Sequence, residues 1–218
     1  MLKKISILIY VKKGGIMKAL LLIDIQNDFL PGGSLAVPEG EQIIPLVNRL
    51  QKRFDLVVAS QDWHPENHGS FAANHPGKEP FDKTELNGLE QILWPPHCVQ
   101  GLKGAEFSSE LDMNKVETIF RKGMDPEIDS YSGFFDNGHQ KSTALHDYLQ
   151  GKHVDTVYIA GLAADVCVRF TASDAVEMGY KTYVISDATR AVGKQEAFEK
   201  TRDELEGKGV KFISSASV

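Results

Sequence analysis

Asp62, His64 and His97 have the residue types and the spacing of metal ligands. Asp62 and His64 are separated by one residue, so in an extended segment their side chains point to the same side and can reach one ion. His97 lies in the segment WPPHC, where the prolines restrict the backbone and hold the imidazole at low entropic cost. Such a set leaves coordination positions open, whereas structural zinc sites usually close with four protein ligands. The pattern predicts a catalytic or substrate-binding metal site; ordinary hydrogen-bonded loop histidines are the alternative.

Cys167 is the candidate nucleophile. It lies in the segment GLAADVCV, between a predicted strand and a predicted helix, where the positive end of the helix dipole would lower the pKa of its thiol. Free N–H groups in the first helical turn could hold an oxyanion. A buried, unreactive cysteine is the alternative. Cys98 is a rival nucleophile, ranked lower because it would have to work with its direct neighbour His97, and adjacent side chains rarely face each other.

A thiol nucleophile needs a proton acceptor, and Asp24 is the candidate. Asp24 ends the first predicted strand, and a carboxylate in a sheltered cleft can act as a general base. Lys122 follows another predicted strand, where its amine would balance that carboxylate and stabilise a thiolate. A solvated surface amine is the alternative for Lys122.

Strand-like apolar runs alternate with amphipathic helical segments along the chain. This alternation predicts an α/β fold, a three-layer sandwich whose central, mostly parallel six-stranded sheet is flanked by helices. The predicted strands are 19–24, 56–60, 118–121, 156–160, 181–186 and 210–213, and the predicted helices are 40–54, 144–151, 165–178 and 194–208. Ligands of such sheets gather beyond the carboxyl ends of the strands. The candidate carboxylates, histidine, amine and thiol should therefore meet at that edge.

The segment 62–114 differs from the rest of the chain. It carries five prolines and several glycines, which predicts long connections with little regular structure. Its aromatic residues favour an ordered loop over a linker.

Composition excludes several classes of protein. The 218 residues suit one domain, and 24 Lys and Arg against 30 Asp and Glu give a formal charge of −6, with no basic stripe for nucleic acid. The longest apolar runs have the length of strands, so no membrane partner is predicted. The chain has only two cysteines, far apart in sequence, which favours a reducing, cytoplasmic compartment over a disulfide framework.

Residues 1–16 are interpreted as a non-native N-terminal extension, and residues 17–218 as the single domain. The codons for the segment KKGGI can form a purine-rich ribosome-binding sequence directly before Met17, which would then be the native start. An extra edge strand over 5–11 is the alternative. Mass spectrometry of protein expressed from its own gene tests this: a peptide containing residues 5–11 would contradict it.

From Met17 onward the chain resembles the nicotinamidases, cysteine-dependent amidohydrolases of the isochorismatase-like superfamily. The matching segments, in order, are LIDIQNDF at 22–29, GGSLAV at 32–37, QDWHP at 61–65, NHGSF at 67–71, WPPHCV at 94–99, RKG at 121–123 and GLAADVCV at 161–168. The series spans the whole domain and is highly specific.

The resemblance implies a role for each candidate residue. The implied triad is Asp24 as general base, Lys122 as third member and Cys167 as nucleophile. The implied metal ligands are Asp62, His64 and His97, with His68 as a fourth ligand in some relatives.

The resemblance also implies how the substrate is held. A cis peptide between Leu162 and Ala163 would direct the N–H groups of Ala163 and Cys167 at the oxyanion. Phe29 and Trp94 match the aromatic residues that sandwich the substrate ring. Ala164 departs from the pattern, since many relatives carry threonine there.

The implied reaction is hydrolysis of nicotinamide, and also of pyrazinamide, through a cysteine thioester. The implied cofactor is one divalent metal ion, and two histidines with one aspartate suit zinc, iron or manganese alike. Two rival interpretations are an amidohydrolase of another small amide and a catalytically idle ligand-binding protein. A homo-oligomer is an open alternative to a monomer.

Overall fold

The computed structural model describes residues 17–193 and 195–218. The predicted N-terminal extension, with its alternative edge strand, lies outside the described residues. Within them, no helix is long and apolar enough to cross a membrane.

Residues 17–193 and 195–218 contain eight strands and four α-helices. The strands are β1 (Met17–Ile23), β2 (Leu56–Asp62), β3 (Lys83–Leu86), β4 (Leu89–Ile92), β5 (Val116–Lys122), β6 (Val154–Leu162), β7 (Lys181–Arg190) and β8 (Lys211–Ile213). The helices are α1 (Ile44–Leu50), α2 (Leu145–Gly151), α3 (Cys167–Glu177) and α4 (Gln195–Lys208).

In the described part of the chain, the central sheet has six parallel strands in the order β5-β2-β1-β6-β7-β8. This confirms the predicted sheet. The chain passes from β1 to β2 on one side and later returns to β6 on the other side. A crevice opens at such a reversal, beyond the carboxyl ends of the strands, and this is where open parallel sheets bind ligands.

Strand β1 shows how the core is divided between the two faces of the sheet. Leu20 and Leu22 pack in one buried cluster, which includes residues of α1. Leu21 and Ile23 pack in a second cluster, which includes residues of α2, α3 and α4. Because side chains alternate between the faces of a strand, both clusters need apolar residues, and β1 is a continuous apolar run.

The predicted helix over 40–54 is wrong in part. Its first turn, Gly40–Ile43, and its last turn, Gln51–Arg53, are 3-10 turns, and only α1 between them is an α-helix. Proline near the start of α1 explains the first boundary, since it lacks an N–H group and is suited to the first helical turn.

The prediction for residues 62–114 is also wrong in part, because β3 and β4 form an antiparallel hairpin. Asn87 and Gly88 make its turn, and both have a positive φ, of 50° and 78°. Asn-Gly is the strongest short-range hairpin signal, and it was present in the sequence.

Candidate active site

The carboxyl edge of the sheet brings the candidate side chains together. Asp24 directly follows β1, Asp62 and Lys122 end the neighbouring strands β2 and β5, and Cys167 begins α3 just after β6. Asp62 and Lys122 are direct partners in the parallel register. The strand ends therefore place two carboxylates, an amine and a thiol in one crevice.

Lys122 lies at the centre of this group and is only 2% exposed. Its Nζ atom is 2.5 Å from Asp62 Oδ1, 3.0 Å from Asp24 Oδ2 and 3.4 Å from Cys167 Sγ. It also donates to the carbonyl oxygen of Ser130 at 2.9 Å. Burial disfavours the charged amine, but the two carboxylates outweigh burial and raise the pKa of Lys122 well above its usual value. Lys122 is thus a buried cation, and the alternative of a solvated amine is wrong.

Asp24 is fully buried beside this cation. Ser60 Oγ donates a hydrogen bond to Asp24 Oδ1 at 2.7 Å. Burial is the largest influence, and it raises the pKa of Asp24 despite the opposing charge of Lys122. A carboxylate with a raised pKa is suited to accepting a proton and returning it.

The thiol of Cys167 differs from the sequence-based expectation. Burial raises the pKa of Cys167 well above its usual value, and the nearby Lys122 does not offset it. The predicted lowering of this pKa is therefore wrong, because desolvation outweighs the helix terminus. The resting thiol keeps its proton and needs a base, and Asp24 has an oxygen within 4.8 Å of the sulfur.

The loop between β6 and α3 leaves two N–H groups next to this thiol. Its Leu162-Ala163 peptide bond is cis. The carbonyl of Ala163 accepts hydrogen bonds from the N–H groups of Val166 and Val168, at 3.1 and 3.0 Å. Among the hydrogen bonds of residues 17–193 and 195–218, none has the N–H of Ala163 or Cys167 as donor. These two groups can therefore donate to a ligand.

Gly161 brings this loop close to the end of β1. A Cβ atom at Gly161 would lie 2.1 Å from the carbonyl oxygen of Ile23, and the residue has a φ of 129°. Only glycine fits this approach of the two chains.

Asp62, His64 and His97 form a compact buried group of ligand atoms, all within 4.8 Å of one another. The Nε2 atoms of His64 and His97 lie 3.8 and 3.9 Å from the Asp62 carboxylate. The Nδ1 atom of His64 donates to the carbonyl oxygen of Gly123 at 2.9 Å, and the Nδ1 atom of His97 donates to that of Pro95 at 2.8 Å. These bonds leave the Nε2 lone pairs directed at the carboxylate, as in metal sites.

The charge states of Asp62 and His97 suit a cation. Burial, together with the neighbouring His64, lowers the pKa of His97 to about 4, so its imidazole is neutral. Burial opposes ionisation of Asp62, but Lys122, with a smaller contribution from His64, outweighs it and holds the pKa of Asp62 far below its usual range. Asp62 in turn raises the pKa of His64 against the effect of burial. A neutral imidazole and an ionised carboxylate are the forms that bind metals.

His68 lies beside this group without joining it fully. A ring nitrogen of His68 lies within 4.8 Å of ligand atoms of His64 and Asp129. His68 does not form one such group with Asp62, His64 and His97 together. Its Nε2 atom is buried and has no hydrogen-bond partner among the described residues. Asp129 is a buried carboxylate that the sequence analysis missed, since it follows no predicted strand end directly.

Two side chains of the segment after β1 hold metal-ligand candidates in place. Gln26 accepts from the N–H of Asp62 and donates to its carbonyl, both at 2.8 Å. Asp28 Oδ2 accepts from the N–H of Cys98 at 2.7 Å, next to His97. Neither residue was among the predicted site residues.

A narrow cavity is lined by Cys167 and by the three candidate metal ligands Asp62, His64 and His97. Phe29 and Trp94, the predicted ring contacts, both line it. Leu35, Tyr131 and Val192 also line it and were not predicted. The aromatic and apolar part of this lining suits the faces of an aromatic ring.

The fold and the cavity together define an α/β protein that places a buried thiol next to a group of candidate metal ligands. Comparison with known proteins gives its family. Residues 18–217 match the family model described as the Isochorismatase domain, and the chain belongs to this isochorismatase family.

Several relatives carry a more specific name. The nicotinamidase of Acinetobacter baylyi is 47% identical over 200 residues, which cover 92% of this chain and 94% of the relative. The nicotinamidase of Escherichia coli is 50% identical over 182 residues, covering 82% of this chain and 85% of the relative.

Solved structures agree with the fold. The yeast nicotinamidase bound to the inhibitor nicotinaldehyde has a TM-score of 0.87 at 36% identity, covering 91% of this chain and 100% of that chain. The pyrazinamidase of Pyrococcus horikoshii in complex with zinc has a TM-score of 0.75 at 38% identity, covering 90% of this chain and 98% of that chain.

Proposed function

We propose that this chain is a nicotinamidase, which hydrolyses nicotinamide to nicotinate and ammonia. The observation that carries the proposal is the buried contact of Lys122 with both Asp24 and Cys167, at the end of a cavity that suits one ring. The names of the relatives support the choice of amide. Pyrazinamide, another amide of a single nitrogen heterocycle, is the second proposed substrate, and a structural neighbour is named a pyrazinamidase.

The proposed mechanism begins with proton transfer from Cys167 to Asp24. The thiolate attacks the carboxamide carbon, and the N–H groups of Ala163 and Cys167 hold the oxyanion. Asp24 returns the proton to the leaving nitrogen, ammonia departs and a thioester remains. Asp24 then takes a proton from water as the water oxygen adds to the thioester carbon, and the tetrahedral intermediate expels the Cys167 thiolate. Asp24 returns its proton to the sulfur, and the nicotinic acid product gives its own proton to ammonia and leaves as nicotinate. Lys122 stays charged throughout and stabilises both the Asp24 carboxylate and the Cys167 thiolate.

We propose Asp62, His64 and His97 as the ligands of one divalent metal ion, with His68 at its side. The zinc complex of the pyrazinamidase neighbour supports a divalent metal. A bound ion would supply a Lewis acid that can anchor the ring nitrogen of the substrate. Zinc, iron and manganese all suit this donor set. A cytoplasmic location and self-association remain predictions.

Product analysis with a matched pair of amides tests the proposed substrate. Nicotinamide should give equal amounts of nicotinate and ammonia. Benzamide lacks the ring nitrogen, and its kcat/KM should be about 100-fold lower because the anchoring contact is lost. Equal efficiency for both amides would contradict the anchoring role, and absence of nicotinate would assign the site to another amide.

Replacing Gln26 with alanine should weaken zinc binding about tenfold, because residues that orient metal ligands have effects of this size. The measurement is competition with a chromogenic chelator. Asn27→Ala is the matched control, since it removes a hydrogen bond from Asn27 Nδ2 to the carbonyl of Lys103, at 2.8 Å, in the same segment. Equal zinc affinity of the Gln26 variant and the control would show that Gln26 does not position Asp62.

A further inference from the structure

Gln91 is a buried amide on the hairpin, at a position where an apolar residue would be ordinary. It is 2% exposed and is the one buried residue of β4. Its Nε2 atom lies 3.1 Å from Asp129 Oδ2, 2.8 Å from the Tyr131 hydroxyl oxygen and 2.7 Å from the carbonyl oxygen of Ile92, and its two hydrogens are shared among these three acceptors. A buried amide with such partners is positioned by them and positions them in turn.

Both side chains that Gln91 contacts line the cavity. The Tyr131 hydroxyl also accepts a hydrogen bond from Trp94 Nε1, at 3.1 Å, and the two rings meet edge to face with centroids 6.2 Å apart. Gln91 and Trp94 thus hold the same hydroxyl from two sides. The orientation of the Tyr131 ring, and the position of the cavity wall that it forms together with Trp94, depend on both bonds.

Asp129 is the second partner. Its Oδ1 atom accepts from the N–H of Ser130 at 2.7 Å, and Gln91 is the donor to its Oδ2 atom. Asp129 lies within 4.8 Å of His64 and His68. Without Gln91, a buried carboxylate oxygen would lose its donor, and Asp129 would have to move or take up water.

We propose that Gln91 is a positioning residue that sets the width of the ring-binding cavity and so limits the substrate to amides of a single ring. This inference rests on the proposed nicotinamidase function. Gln91 has no hydrogen bond to Asp24, Lys122 or Cys167 among the described residues, so its loss changes substrate binding and leaves the chemical step intact.

The test compares Gln91→Leu and Gln91→Glu with wild type in the metal-loaded enzyme. The readouts are KM and kcat for nicotinamide, the Kd of nicotinate by calorimetry, and kcat/KM for quinoline-3-carboxamide, a two-ring amide. We expect Gln91→Leu to raise KM and Kd about tenfold with kcat within about threefold. The preference for nicotinamide over the two-ring amide should fall about tenfold.

Gln91→Glu distinguishes a role of Gln91 in positioning Tyr131 and Asp129 from a role in filling space in the core. Glutamate has the shape of glutamine but places a carboxylate against Asp129, so its effect on KM should exceed that of leucine. If Gln91 only fills space, the leucine variant should instead raise KM more than the glutamate variant. Gln91→Glu also carries the test if the leucine variant fails to fold.

Glu90→Gln is the matched control. It removes an exposed ion pair between Glu90 and Lys83 on the same hairpin, at 2.9 Å, and should behave as wild type. Unchanged KM, Kd and selectivity in both Gln91 variants would overturn the inference. A wild-type enzyme that does not hydrolyse nicotinamide would instead refute the proposed function.

Discussion

Cys167→Ala should lower ammonia release from nicotinamide by about 10⁴-fold or more, because the variant has no atom that can form the thioester. Its metal content should equal that of wild type, since Cys167 is not among the proposed metal ligands. Steady-state ammonia release and elemental analysis of the purified variant check both statements.

Cys98→Ala is the control for this experiment. Cys98 is fully buried, and burial raises the pKa of its thiol well above the usual value, without the direct amine contact that Cys167 has. The Cys98 variant should keep most of the activity. Activity near wild type in Cys167→Ala, or a loss of activity confined to Cys98→Ala, would refute the assignment of the nucleophile.

Lys122→Met should lower both the free energy of unfolding and the activity. Methionine fills a similar space but leaves Asp24 and Asp62 buried without a cation, which costs about 3–5 kcal/mol. Activity should fall about 100-fold or more, because Asp24 would bind its proton more tightly and the thiolate would lose its counter-charge. Urea unfolding of the metal-free protein and the ammonia assay measure the two effects.

Lys83→Met is the matched control for stability. Its ion pair with Glu90 is exposed and should contribute less than about 1 kcal/mol. The double variant Lys122→Met, Asp24→Asn should regain part of the lost stability, since one uncompensated carboxylate is removed. Similar losses in the Lys122 and Lys83 variants would contradict the central role of the buried amine.

Strand ends were the most predictable part of the structure. Asp24 and Asp62 come after or at the end of apolar runs typical of buried strands, Lys122 ends the alternating edge strand β5, and the carboxyl edge of a parallel sheet brings such residues together. The predicted start of the helix, residue 165, lies two residues before the observed start at Cys167. The difference is small but expected, since sequence patterns define the exact helix boundary only loosely.

Residues held by tertiary contacts were not predictable. Asp129 and Tyr131 lie in a connection between β5 and α2, and their place in the site depends on Gln91 from a distant hairpin. The pKa of Cys167 was misjudged for a related reason. Local sequence shows the helix terminus, but the burial that outweighs it arises only when the fold closes around the thiol.

Ammonia release from nicotinamide, measured before and after metal removal, tests the proposed function most directly. The purified protein would be assayed as isolated, after treatment with a chelator, and after restoring zinc, iron or manganese separately. We expect activity to disappear with the metal and to return with at least one of the three ions. No ammonia release under any metal condition, from protein shown to be folded, would contradict the proposed nicotinamidase function.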